Sequence, residues 1–284
     1  MKGSKLIRKL VALALEEDLA FGDITASLTV PEAHHSRAVI IARQRLVLCG
    51  SEVVGMILQE GHWSIECSFK ASDGDVLEDG ATIAELRGLT RDLLAAERTI
   101  LNFLQRMSGV ATFTREYCQV EPSLMILDTR KTIPGWRMLD KYAVRVGGGK
   151  NHRLCLGDMI LVKNNHIDAH PNGMRGALAH IAENKPLYMP WEVEVRDLKE
   201  LAVALEFRPN IIMLDNFSDD GIREAVSIMK AQGEAPMIEV SGGVTRGRLR
   251  AIREAGADAV SVGALTTQAP NVDISMRIVA EAHG

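Results

Sequence analysis

Residues 191–243 read WEVEVRDLKELAVALEFRPNIIMLDNFSDDGIREAVSIMKAQGEAPMIEVSGG, and their rhythm decides the fold. Three short apolar runs, 191–195 (WEVEV), 211–215 (IIMLD) and 237–241 (MIEVS), are separated by helical patterns over 197–206 and 219–231. The alternation extends both ways: 124–128 (LMILD) and 159–163 (MILVK) precede it, and 259–263 (AVSVG) follows. Further helical patterns fall near 136–146, 173–183, 246–255 and 272–282. Alternating β and α with buried strands predicts a parallel sheet with helices outside it. Six strands are too few for an eight-fold barrel. An incomplete or irregular α/β barrel is expected, with an open doubly wound sheet as the alternative. Gly147-Gly148-Gly149 lacks dinucleotide spacing after a strand, and GGGKN is not a P-loop.

The chain before residue 120 has another style. Residues 4–18 place Leu6, Ile7, Leu10, Leu13 and Ala14 at helical spacing, and Phe21-Gly22-Asp23 ends that helix. Its basic start and short apolar middle resemble a signal peptide. Glu16, Glu17 and Asp18 follow at once, however, without a small-x-small site, so an amphipathic helix is expected. Residues 36–48 and 63–70 look like strands, a short helical stretch follows Gly50, and 73–80 carries turn signals. This is an α+β module of about 90 residues. Residues 90–119 predict one long helix, or two broken near Ser108-Gly109, with Arg98 beside Glu97 as an ordinary surface pair.

No apolar run approaches the ~20 residues that span a bilayer. A net charge of −4 gives no reason to expect nucleic acid or membrane as partner. Cys49, Cys67, Cys118 and Cys155 form no CxxC pair, which argues against a zinc knot or disulfide framework and for a reducing cytoplasm.

Charge is distributed unevenly. Residues 128–166 hold eight Lys or Arg (Arg130, Lys131, Arg137, Lys141, Arg145, Lys150, Arg153, Lys163) against three Asp, a local +5 in an acidic chain. Cations so gathered repel one another unless an anion sits among them. In parallel α/β folds ligands meet the carboxyl ends of the strands. Those ends read Asp128, Lys163, Glu194, Asp215, Ser241 and Gly263. Core strands have no need to finish on charges, so the recurrence points to a site. Ser241-Gly242-Gly243 and Ser261-Val262-Gly263-Ala264 are small-residue turns whose N–H groups suit a phosphate. Arg offers a fork for carboxylates and Lys a compact charge for phosphate, so both kinds of ligand are expected. Glu192 and Glu194 share parity, and Glu194 with Asp215 makes a carboxylate pair that suits Mg²⁺, directly or through water. Alternatively, Glu192 or Glu194 neutralises Arg130, Lys131 or Lys163, and Asp215 caps a helix. His166 and His170 have metal-ligand spacing, but Pro171 follows and no third ligand is evident.

These residues resemble the quinolinate phosphoribosyltransferases, also called carboxylating nicotinate-nucleotide pyrophosphorylases. The resemblance covers nearly the whole chain. It is carried by ERTILNFLQRMSG (97–109), DTRKTIPGWR (128–137), KYAVRVGGGKNHR (141–153), LVKNNHI (161–167), EVEV (192–195), MLDN (213–216), EVSGG (239–243) and SVGALT (261–266). It implies an amino-terminal α/β sandwich domain over 1–110, joined by a carboxyl-terminal helix at 272–284, and an irregular α/β barrel over 111–271. It also implies conversion of quinolinate and phosphoribosyl pyrophosphate into nicotinate mononucleotide, pyrophosphate and CO₂, with Mg²⁺, in NAD biosynthesis. By position, Arg130, His152 and Arg153 resemble the family's quinolinate-binding cations, with Lys131 and Lys163 near both substrates. Arg98 resembles the residue lent across a homodimer to a shared active site, in an assembly that stops at the dimer or continues to a hexamer. Glu194 and Asp215 resemble the acidic pair around metal and ribose, and Ser241, Gly242, Gly243, Ser261, Gly263 and Ala264 the phosphate loops. Two competing readings are a paralogue acting on another pyridine carboxylate and a non-catalytic sensor of phosphorylated ligands. Intact Glu194, Asp215, Lys131 and Lys163 speak against the sensor.

Overall fold

A computed structural model describes residues 5–233 and 235–279. The chain divides into two compact units: one runs to Arg115 and adds Thr132–Gly148 and the chain from Leu265, and the other comprises Glu116–Lys131 and Gly149–Ala264.

In the first unit, α1 (Lys5–Leu19) and α2 (Ile24–Thr29) precede β1 (His35–Ala42) and β2 (Leu46–Val47). Asp23 stops the chain between the two helices and caps α2, its Oδ1 accepting the Ala26 N–H at 2.8 Å. There follow α3 (Ser51–Glu60), β3 (Glu66–Phe69), β4 (Val76–Leu77), β5 (Thr82–Leu89) and α4 (Thr90–Val120). One unbroken α4 resolves the choice left at Ser108-Gly109. Gly109 is needed there because a Cβ would stand 2.1 Å from the Pro270 carbonyl oxygen. Ser108 turns inward, accepting the Cys49 N–H at 2.9 Å. The unit's sheet runs β12-β1-β5-β3 and is antiparallel, with β2 and β4 forming a separate ribbon. β12 (Ile274–Val279) corrects the helix expected at 272–284; residues 280–284 lie outside the described residues. Ile274 and Met276 are buried with Ser275 between them, a period of two. β1 offers an edge that takes this strand in register from Ala42↔Ile274 to Arg37↔Val279. Pairing with that edge outweighs a helical spacing that the apolar residues also allow.

The second unit alternates as expected: β6 (Met125–Leu127), β7 (Ile160–Val162), α6 (Asn164–Ala169), α7 (Gly173–Asn184), β8 (Trp191–Val195), α8 (Leu198–Glu206), β9 (Ile211–Asp215), α9 (Asp219–Ala231), β10 (Met237–Ser241), α10 (Leu249–Glu254) and β11 (Ala259–Ser261). Asp197 and Ser218 cap α8 and α9 through Oδ1 and Oγ. On α9, Ile222, Ala225, Val226 and Met229 form the buried stripe. The six strands are all parallel, in the order β6-β11-β10-β9-β8-β7. From β7 to β11 each strand lies beside the next in sequence, and the first strand, β6, then pairs with the last. A doubly wound sheet reverses direction at a switch point. Joining first to last is barrel order, left open between β6 and β7. α5 (Arg137–Val146) and α11 (Ala264–Thr267) complete the chain, and α5 belongs to the first unit.

Candidate active site

Register fixes which side chains face the barrel interior. Glu194, Met213 and Glu239 are register partners across β8, β9 and β10, and Asp215 and Ser241 form the next pair two residues toward the carboxyl ends. Above them a cavity of about 270 Å³ is lined by Thr129, Arg130, Lys131, His152, Arg153, Leu161, Lys163, Met213, Ser241 and Ser261. Four of the eight cations of residues 128–166 thus meet in one pocket. The others do not: Arg137 and Arg145 lie on α5 with a buried Lys141, and exposed Lys150 reaches Met125 Sδ at 3.4 Å.

The loops holding these cations are tied from beneath. Asp128, fully buried at the end of β6, accepts Asn151 Nδ2 at 2.6 Å and the His152 N–H at 2.9 Å. Asn151 and His152 are thereby fixed to the strand that carries Arg130. Arg153 is buried, its Nη1 donating to the Met159 carbonyl at 3.3 Å. Burial, and then the neighbouring Arg130, pull its guanidinium below the usual arginine range. Arg130 Nε is a buried donor with no acceptor among the described residues. Two crowded guanidiniums, one with an unmet donor, suit carboxylate ligands.

At the rim, Lys163 Nζ donates to Glu194 Oε2 at 2.6 Å. Glu194 thus neutralises a pocket cation. Asp215 accepts Asn216 Nδ2 at 2.9 Å; burial, and next the charge of Glu194, raise its pKa. A half-buried carboxylate short of positive charge fits a divalent cation completed by water and substrate phosphates. Glu194 and Asp215 are too few to cage an ion alone. Gly242 and Gly243 have φ of +82° and +59°. A Cβ on Gly242 would stand 2.1 Å from Asn216 Oδ1, so the turn after β10 must be glycine. Ser261 lines the cavity, and Gly263 packs against Lys131, where a Cβ would meet Cδ at 3.0 Å; Ala264 opens the short α11.

Arg98 is exposed on α4 in the first unit and is not among the lining residues. His166 and His170 serve local turns, their Nδ1 atoms accepting the N–H groups of Lys163 and Asn172 at 2.9 and 3.2 Å. Thr129 and Glu239 carry no role in the sequence analysis, and Asp128 appears there only as a strand end. Thr129 orders the loop by accepting the Lys131 N–H at 3.0 Å. Glu239 lies in an apolar run, although an acid centred in MIEVS is itself a signal. Beneath the cavity, His152, Glu192 and Glu239 bring nitrogen and oxygen atoms within 4.8 Å of one another. Burial, and then Glu192, push Glu239 up to about 7.

A parallel α/β barrel with clustered cations, rim acids and glycine turns at its mouth suits a class of enzyme that joins an acid to a phosphorylated substrate. Comparison with known proteins narrows the class. The carboxyl-terminal domain profile of quinolinate phosphoribosyl transferase matches residues 110–277, and its amino-terminal domain profile residues 23–108. A probable carboxylating nicotinate-nucleotide pyrophosphorylase of Methanocaldococcus jannaschii is 38% identical over 279 residues, covering 95% of this chain and 96% of its own. Quinolinate phosphoribosyltransferase [decarboxylating] 1 of Nicotiana glauca is 36% identical, covering 97% and 83%. The solved nicotinate-nucleotide pyrophosphorylase from Francisella tularensis superposes with a TM-score of 0.91 at 39% identity, covering 98% of each chain. The chain belongs to the quinolinate phosphoribosyltransferase family. Among the described residues no helix is long and apolar enough to cross a membrane.

Proposed function

We propose that the barrel mouth joins quinolinate to phosphoribosyl pyrophosphate with loss of CO₂, the two anions lying side by side. The observation that carries this division is the pairing of buried Arg153 with Arg130, whose Nε lacks an acceptor, next to Lys131, Lys163 and the glycine turns. The two arginines, with His152, hold the carboxylates of quinolinate and direct its ring nitrogen at C1 of the ribose. Ser241, Gly242, Gly243, Ser261, Gly263 and Ala264 receive the 5-phosphate.

As the C1–O bond to the diphosphate breaks, positive charge grows at C1 and the ring oxygen. Glu194 and Asp215 stabilise that charge, and Lys131 and Lys163 the departing anion. Glu194 and Asp215 would hold Mg²⁺, directly or through water, and the ion would supply further charge neutralisation to the diphosphate. Attack by nitrogen makes the pyridine ring cationic. The bond to the adjacent carboxylate then breaks with its electron pair left on the ring carbon, where the neighbouring cation stabilises it. CO₂ departs and the carbanion takes a proton. No side chain becomes covalently attached.

The working protein is a homodimer in which Arg98 of one copy completes the site of the other. Cys49, Cys67, Cys118 and Cys155 form no disulfide among the described residues, which suits a cytoplasmic setting. Calorimetric titration tests the division of labour. Arg130→Ala and Arg153→Ala should each weaken quinolinate binding about tenfold to a hundredfold while phosphoribosyl pyrophosphate binding changes much less. Equal losses for both ligands would overturn it.

A further inference from the structure

We propose that Glu192 and Glu239 are positioning residues for the diacid: they orient the His152 imidazole from below, and that ring in turn fixes the main chain from which Arg153 reaches its ligand. The inference rests on the carboxylate-receptor reading of the pocket and adds a support beneath it.

Three separate segments converge here, β8, β10 and the loop ahead of β7. His152 Nε2 lies 3.1 Å from Glu192 Oε2 and 3.8 Å from Glu239 Oε1. Its Nδ1 accepts the Arg153 N–H at 2.7 Å. An acceptor Nδ1 places the ring proton on Nε2, the nitrogen turned toward the two acids. The imidazole therefore bridges the buried carboxylates and the Arg153 backbone.

Stability does not account for these acids. Both are almost fully buried, and both oxygens of Glu192 and Oε1 of Glu239 lack an aligned hydrogen-bond donor among the described residues. Burying carboxylates in this way costs several kcal/mol each, and apolar side chains would fill the same space more stably. Their field has a use one layer up, where Glu192 favours the charged form of Arg153 against its burial. A divalent ion among the three residues is the competing account. It would need the Nε2 lone pair, which the tautomer assigns to a proton, and it would sit beneath two guanidiniums.

Two measurements test the proposal. Nitrogen-15 NMR of the ligand-free protein should show His152 in the Nε2–H tautomer; the Nδ1–H form would overturn it, whatever the pocket binds. Steady-state kinetics of Glu192→Gln and Glu239→Gln, run above pH 7 where Glu239 is ionised, should then show the KM for quinolinate raised about tenfold, with the KM for phosphoribosyl pyrophosphate within about twofold. An unchanged quinolinate KM, or equal rises for both substrates, would remove the positioning role. So would one equivalent of tightly held metal that survives EDTA dialysis in the native enzyme and is lost in both variants. If neither variant folds, the NMR result on the native protein decides. Failure of the arginine titrations with the tautomer intact would instead indict the pocket reading.

Discussion

Two pairs of acids occupy this barrel, and they meet on β8, where Glu192 and Glu194 are two residues apart and share one face. Glu194 and Asp215 stand at the carboxyl ends of their strands. There a lysine reaches one carboxylate, and the other is only half-buried. Glu192 and Glu239 are almost fully buried, facing an imidazole and no solvent. Identical functional groups thus receive different work from one step along a strand. The rim pair can meet charge that comes and goes with substrate; the deep pair can act only on protein already in place.

The largest expected effects belong to the rim. Lys163→Ala removes the cation proposed to face the departing diphosphate and leaves Glu194 beside Asp215 without its lysine. The turnover number should fall about 10²- to 10³-fold. Because Lys163 and Glu194 are joined by one 2.6 Å contact, adding Glu194→Gln should cost little more than the first change. Multiplying losses would show that the two act separately. Mixing the Lys163→Ala and Arg98→Ala proteins should restore roughly a quarter of native activity if each dimer builds its sites from both copies. No recovery after subunit exchange would confine each site to one chain.

A smaller effect is expected at the turn after β10. Asn216 sits at φ +59°, its N–H donating to the Ser241 carbonyl at 2.9 Å while its side chain holds Asp215. Gly242→Ala would put a methyl into that amide from a backbone at φ +82°. The KM for phosphoribosyl pyrophosphate should rise about tenfold, and that for quinolinate should hardly move. If the quinolinate KM rose in step, rim and floor would not be separable.

How much of this could be read in advance follows the same depth rule. β8, β9 and β10 were legible to the residue because both faces of each strand are buried and their apolar runs are short. β5 was not, since Glu85 and Arg87 interrupt it. On the exposed face of an antiparallel sheet Glu85 pairs with Arg37 at 3.0 Å, a contact that only the neighbouring strand reveals. β12 was misread because its partner edge lies more than 200 residues earlier. At the site, residues ending strands announced themselves: Lys163, Asp215 and Ser241 are charged or polar where an apolar run stops. Glu239 and the turning of His152 toward it depend on which strands become neighbours. Chain order alone does not carry that information.

The smallest effect, and the one that separates the pairs most cleanly, is on stability against pH. In the folded protein Glu239 titrates at about 7, above its ordinary 4.5, because burial and Glu192 disfavour its charged form. Between those two values the folded chain keeps a proton that the unfolded chain has released. Its contribution is complete below 4.5 and is lost as pH rises through 7. Glu239→Gln resembles the protonated acid at every pH. Its melting temperature should match the native protein's near pH 4.5 and exceed it by several degrees above pH 7, at about 2–4 °C per kcal/mol for a chain of this size. Other titrating groups are common to both proteins and cancel in the difference. A constant offset between the two melting curves would mean that Glu239 is not the group losing its proton, and the deep acids would then be no different in kind from those at the rim.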